Sequence, residues 1–336
     1  MKIKKNDLFM GIYLLSAVLF FIISIPSWLL DILLAFNIGV AMVVLFNALF
    51  AKEVLDMASF PTLLLFTTIF RISLNVSSTK LILRDGDAGE VVNTFGEFVG
   101  GGNLVIGIII FIVLIIIQFI VINKGSERVA EVTARFTLDA MAGKQMAIDS
   151  DLNTGAITDK EAQIKRQKLQ KENSFFGSMD GATKYVKGDA TAGLIITGIN
   201  IVGGIIMGMV YGGLDITEAL QKYTILTIGD GLCSQIPSLL ISLSTGILVT
   251  KASSEGELGD EMVGQLLSID KVLLMVGAAM SLLGVITPLP WYIFVPFGVA
   301  LIVYSRKVGK KNDIEAIEEE VEAEETAAQE IRKPEN

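Results

Sequence analysis

The sequence predicts an all-helical integral membrane protein: an all-α fold of about eight transmembrane helices, with a helical cytoplasmic loop between spans four and five. Three observations predict it. Mean hydropathy is positive, at +0.61, and only 19% of residues are charged. The apolar residues come in long uninterrupted blocks rather than alternating runs. Several blocks reach the roughly 20 residues needed to cross a 30 Å hydrocarbon core at about 1.5 Å per residue.

Taken in order, the first span is expected over 8–25, after the basic residues Lys2, Lys4 and Lys5. It reads as a retained helix rather than a cleaved leader, because Pro26-Ser27-Trp28 is a poor cleavage site and another span begins at once. The second follows the Pro26 turn over 29–50, with Trp28 suited to the interface. The third, over 60–83, starts apolar and turns polar, whereas the fourth, over 103–122, is almost purely aliphatic and aromatic. A polar stretch over 123–188 then interrupts the membrane pattern. Spans five to eight are expected over 190–211, 223–250, 272–286 and 291–304, the last after the turn at Pro288 and Pro290. The chain thus divides into 1–122 (spans one to four), 123–188 (cytoplasmic loop), 189–304 (spans five to eight) and 305–336 (acidic linker).

Lys and Arg near spans stay on the cytoplasmic side. They crowd the loop from Lys124 to Lys187, while the opposite side shows only Arg84 and Lys222, so both termini are expected to be cytoplasmic. The formal charge of −9 belongs almost wholly to the tail, where ten acids between Asp313 and Glu335 face only Arg332 and Lys333. Such a tail reads as a solvated linker to a soluble domain in a longer gene product.

The chain has no histidine and a single cysteine, Cys233. That excludes a disulfide framework, a Cys/His zinc site, His-ligated haem, a Ser-His-Asp triad and a Cys-His dyad within it. No enzyme activity, cofactor or metal is expected. The run from Asp149 to Gly155 resembles the front of a calcium loop, but its glycine is one place late and Lys160 stands where the closing Glu belongs.

Charged residues at membrane depth are the candidate site. In span three Thr67, Arg71, Asn75, Ser78 and Thr79 share a helical face, with Lys80 further on. An unpaired charge there costs roughly 2.5–3.5 kcal/mol, so this face is expected to look into protein or water, either as an ion pair or as the wall of a hydrated pathway. Asp189, at the start of span five, reads as an N-cap or as a carboxylate in a proton relay. In span six Gly229-Asp230-Gly231 and Pro237 are expected to break the helix, with Asp230 facing a cavity or pairing with Arg71, Lys80 or Lys222. Gly204, Gly208 and Gly212 predict a close helix neighbour for span five. In the loop, Arg128, Glu131, Arg135 and Asp139 fall on one face, and Thr158 with Glu161 forms a capping box that starts a helix running to about Asn173.

Longer blocks carry a family likeness: Phe70-Arg71-Ile72-Ser73-Leu74-Asn75-Val76-Ser77-Ser78-Thr79, Asp87-Ala88-Gly89, Phe95-Gly96-Glu97-Phe98 and Gln118-Phe119-Ile120-Val121-Ile122-Asn123-Lys124-Gly125. The likeness continues in Glu127-Arg128-Val129-Ala130-Glu131-Val132, Ala134-Arg135-Phe136-Thr137-Leu138-Asp139-Ala140-Met141, Gly143-Lys144-Gln145-Met146 and Lys187-Gly188-Asp189-Ala190. These resemble the FHIPEP family, the large export-gate component of bacterial type III secretion, in flagella or in virulence injectisomes. Ala142 and Gly100 depart from its usual proline and valine, and the family's C-terminal cytoplasmic domain does not follow within these residues.

The resemblance implies a homo-oligomeric, nonameric ring in the bacterial inner membrane at the flagellar basal body. It implies coupling of the proton or sodium motive force to protein export. The implied partners are other copies of the chain, other export-gate membrane proteins, the export ATPase complex and exported flagellar proteins, within the lipid bilayer and without nucleic acid. It ties the position of Asp189 to proton use and places Asp230 in a matching polar span. Arg128, Arg135, Asp139 and Lys184 fall in a loop used for gating and for ring or partner contacts. Two rivals predict otherwise. An independent ion-coupled transporter would show inverted internal repeats, which the sequence lacks, and a purely structural ring scaffold would leave the buried charges dispensable.

Overall fold

A computed structural model describes residues 5–100, 103–251, 258–286 and 290–310. Lys2, Lys4, Pro288 and the acidic linker beyond 310 lie outside the described residues. The chain divides into two compact units, Met1–Glu255 and Gly256–Asn336.

In the first unit the helices are α1 (Lys5–Ile22), α2 (Ser27–Phe50), α3 (Phe60–Asp85), α4 (Glu90–Gly100), α5 (Leu104–Ile116), α6 (Lys124–Asn153), α7 (Asp159–Val210) and α8 (Ile216–Thr250). A 3-10 turn, Val54–Met57, precedes α3, and a π-helical segment, Ile117–Asn123, joins α5 to α6. The second unit holds α9 (Leu258–Leu267), α10 (Asp270–Ile286) and α11 (Trp291–Lys310). No strand occurs among the described residues.

Among the described residues six helices are long and apolar enough to cross a membrane. Two expected spans are shorter. The apolar stretch of α1 is Met10–Ile22, and α10 has 17 residues. In the second unit α10 and α11 form an antiparallel hairpin: Ser305 donates to the Asp270 carbonyl at 2.8 Å at one end, and Gly284 abuts Phe294 at the other.

The expected break between membrane and loop is absent from the backbone. Apolar α5, the π segment and polar α6 form one continuous rod, Leu104–Asn153, and α7 runs without interruption for 52 residues. The expected loop helix therefore does not end at Asn173, although its start is as expected: Thr158 and Glu161 cap each other. The two rods form an antiparallel hairpin turning at Thr154–Thr158. Its rungs are ion pairs in matching register, Lys187–Glu127 at 3.1 Å, Lys144–Glu172 at 3.6 Å and Lys165–Asp151 at 3.7 Å. Ala130 and Ala134 on α6 and Phe175, Phe176, Met179 and Ala182 on α7 fill the seam.

Burial sorts the membrane helices. The most apolar windows of α3 and α8 are 50% and 56% buried, against 17% for α5 and α7, so the two polar helices occupy the interior and the apolar ones face outward. This follows from cost, since polar side chains need protein partners where lipid offers none. The interior has two apolar clusters. One gathers Ala41, Val44, Ala48, Phe60, Leu64, Ile241 and Leu248 with the base of the hairpin. The other gathers Leu30, Leu34, Phe70, Leu74, Ile82, Val92, Tyr223, Leu226 and Cys233.

Helix α4 was not anticipated. Asp31 on α2 accepts the amides of Val91 and Glu90 at 3.0 and 3.1 Å and so fixes its first turn. Gly229 and Gly96 let α4 lie backbone to backbone on α8, since a Cβ on Gly229 would collide with the Val92 carbonyl and one on Gly96 with that of Ile225. Gly204 and Gly208 on α7 admit the Tyr223 ring in the same way. Gly212 does not belong to this face, because α7 ends at Val210 and Gly212 lies in the following turn.

These contacts predict opposite signs for two glycine substitutions. Gly229→Ala should destabilise the detergent-solubilised protein by about 1–3 kcal/mol through overpacking. Gly143→Ala, on the exposed part of α6 with nothing near the added methyl, should stabilise it by roughly 0.5–1 kcal/mol. Thermal unfolding of the two variants checks both signs.

Candidate functional site

Between the two apolar clusters lies a layer of polar side chains contributed by α3, α7, α8 and the π segment. Its centre is an ion pair. Arg71 Nε donates to Asp189 Oδ2 at 2.7 Å, and Nη2 donates to the same oxygen. The two side chains are only 1% and 4% exposed. By helix rise Arg71 sits about 17 Å from Phe60 and about 21 Å from Asp85, near mid-span of α3. The pairing alternative for Arg71 is therefore the one realised. The N-cap reading of Asp189 is overturned, because the residue lies far inside α7, where every nearby amide already has an intrahelical partner.

Asp230 is buried at 5% exposure and accepts from Asn200 Nδ2 at 3.0 Å. It pairs with none of the expected cations. Lys80 Nζ donates to the Phe21 carbonyl at 2.6 Å, at the end of α1, and Lys222 is exposed beside Gly86. Helix α8 is also not broken. It passes through Gly229-Asp230-Gly231 and Pro237 as one helix, the glycines serving close packing against Val92 and Phe111.

One cavity joins the two carboxylates. It has room for water of ≈ 40 Å³ and is lined by Asp189, Asp230, Asn75, Gln118, Thr197, Ser234 and Ser238 among others. A single water needs about 10–15 Å³. Asn75 Nδ2 donates to Ser234 Oγ at 2.9 Å, and Gln118 Nε2 to the Gln235 carbonyl at 3.1 Å. Three buried atoms on residues that line the cavity or hold its carboxylates lack a protein partner: Ser238 Oγ, Asn200 Oδ1 and Arg71 Nη1. Each unmet group costs about 1–3 kcal/mol, so the cavity is suited to hold water rather than to stay dry. Along α7, Asp189 and the Asp230 partner Asn200 are separated by about 16 Å.

Of the expected α3 face, Arg71, Asn75 and Ser78 join this layer, Ser78 Oγ lying within hydrogen-bond reach of both Asp230 and the Asn75 carbonyl, while Thr67 bonds back to carbonyls of its own helix. The loop candidates lie elsewhere, on the exposed hairpin. Arg128 meets Glu131 at 3.4 Å, Lys184 meets Asp180 at 2.7 Å, and Arg135 and Asp139 are exposed on α6. Gln118, Asn200, Ser234 and Ser238 escaped the reading of the sequence. A signal for two of them was present, since Asp230, Ser234, Ser238, Ser242 and Thr245 recur every three or four residues on one face of α8.

The fold and this layer define a multi-span helical membrane protein with charged side chains held around an internal polar cavity. The chain belongs to the FHIPEP family, whose profile matches residues 17–336. It is 49% identical over 331 residues to "Flagellar biosynthesis protein FlhA" of Bacillus subtilis (strain 168), covering 98% of this chain and 49% of that protein. It is 49% identical over 286 residues to the protein of the same name in Salmonella typhimurium, covering 84% of this chain and 41% of that protein. "Low calcium response locus protein D" of Yersinia pestis is 48% identical over 293 residues, covering 87% and 42%. The chain thus spans about half the length of these relatives or less. No solved structure matches it.

The ion pair makes a quantitative prediction. Asp189→Asn or Arg71→Gln alone strands a buried charge or polar partner and should cost about 3–5 kcal/mol, whereas replacing both by apolar residues of similar volume should cost much less. A double-mutant cycle on thermal unfolding reads the coupling.

Proposed function

We propose that this chain is the membrane part of a flagellar type III export gate, and that its polar layer carries protons or sodium ions whose flow drives protein export. The observation that carries the reading is a polar-lined cavity with room for water, touching both Asp189 and Asp230 inside the helical bundle. The names of the relatives support the flagellar setting. In this reading the protein sits in the bacterial inner membrane with eight spans and both ends in the cytoplasm. The α6–α7 hairpin, bearing Arg128, Arg135, Asp139 and Lys184, projects into the cytoplasm, where neighbouring copies in a ring, other gate proteins and the export ATPase complex engage it. The chain acts as a conduit and coupling element, not as an enzyme. A virulence secretion gate is the second reading, favoured by the 48% identity, against 49%, to a relative whose name is not flagellar.

The test separates coupling from scaffolding. Asp189→Asn and Asp230→Asn should lower export and proton uptake together, by about a hundredfold per inserted and assembled molecule, the low end for loss of a positioned proton-transfer group. Membrane levels of each variant, measured alongside, separate lost stability from lost coupling. Normal export in both variants would leave only the scaffold.

A further inference from the structure

The polar layer continues beyond Ser238. A second cavity, of ≈ 20 Å³, follows along α8 and is lined by Asn123, Ser126, Glu127, Lys187, Ser242 and Thr245, among others. Asn123 also lines the first cavity, so its side chain, whose Oδ1 accepts from Ser242 Oγ at 3.0 Å, stands between the two. The π segment ends at Asn123, and its wider turn brings both Gln118 and Asn123 against α8.

The second cavity ends at an ion pair, Lys187 with Glu127 at 3.1 Å. The two partners differ in exposure, with the Lys187 side chain 55% exposed and that of Glu127 only 21%. Glu127 therefore stands at the boundary, its carboxylate reaching the interior column and its partner standing in solvent. The other rungs of the hairpin, Lys144–Glu172 and Lys165–Asp151, hold the same two helices together without lining this cavity. A carboxylate at the neck of a low-dielectric passage concentrates small cations there, and a counter-charge that swings away on a long flexible stem modulates that field.

We propose that Glu127 is the cytoplasmic port of the ion path, attracting small monovalent cations into the column that leads past Asn123 to Asp189 and Asp230, with Lys187 as the movable counter-charge that closes it. The proposal rests on the ion-coupling reading above. A pair that merely staples α6 to α7 would affect stability and leave ion selectivity untouched.

The test uses the full chain in inside-out membrane vesicles with a pH-sensitive dye reporting proton flux. Ser126, beside Glu127, becomes the reporter as Ser126→Cys in a Cys233→Ala background, its unmodified rate serving as the reference. Reaction with cationic 2-aminoethyl methanethiosulfonate should block the flux. The ratio of its reaction rate to that of the anionic 2-sulfonatoethyl reagent should fall about tenfold in Glu127→Gln, the low end of field focusing in a cleft, and return in Glu127→Asp. Complete modification with flux unchanged, or a ratio that ignores the Glu127 charge, would overturn the port. Asp189→Asn run in parallel distinguishes the two levels. Flux intact in that variant removes the coupling reading and the port together, while flux lost there but indifferent to the modified Ser126→Cys removes the port alone.

Discussion

The arrangement of the bundle depends on one constraint: a guanidinium and a carboxylate placed near mid-span must meet. Neither Arg71 nor Asp189 is tolerable alone at such depth, and lipid supplies no counter-charge. Bringing them together fixes α3 beside α7 and sets their register. The same register places Leu83 of α3 against Gly203 of α7, so the two helices run parallel from the pair onward. Once these two are joined, α8 has to supply the remaining partners of the layer, and α1, α2 and α5 are left with the lipid-facing positions that their composition suits.

The pair also explains the two-cluster core. Apolar packing is present on either side of the layer, with Phe60, Leu64 and Ile241 toward one end and Leu81, Ile82 and Tyr223 toward the other. A polar layer in such a bundle weakens adhesion locally and raises specificity, because sliding any helix by one turn would strand Asn75, Asp230 or Asn200 without its partner. Close backbone contacts at Gly96 and Gly229, and at Gly204 and Gly208 around Tyr223, supply the compensating attraction where the layer supplies none.

The sequence displayed the helices through block hydropathy, and it displayed the site through the types of residue that lipid penalises. Arg71, Asp189 and Asp230 were conspicuous for that reason. What it did not display was partnership. Asp189 follows a glycine at an apparent boundary between polar and apolar segments, which imitates a helix start, but a membrane surface changes the solvent around a helix without ending it. The same confusion hid the continuity of α7 and of Leu104–Asn153. Gly229, Gly231 and Pro237 imitated a break because their local cost is visible, whereas the close packing on Val92 and Phe111 that offsets it is a long-range contact. Helix α4 was missed because its glycines, read locally, argue against a helix and only make sense against α8.

The unbroken course of α7 has a mechanical consequence. A helix of 52 residues measures about 78 Å, and this one carries no proline from the hairpin turn to Val210. Displacement at the hairpin end is therefore carried along one continuous helix toward Asp189 and Asn200. The helices facing it are built differently at the same level. Pro237 removes an amide from α8 beside the cavity, and the π segment Ile117–Asn123 adds a wide turn to the rod from Leu104. One continuous helix thus bears on two deformable walls, and the groups between them are the two carboxylates and the cavity they share. Any change in the hairpin is converted there into altered separation or hydration of the charges, the variable on which passage of an ion through a low-dielectric layer most strongly depends.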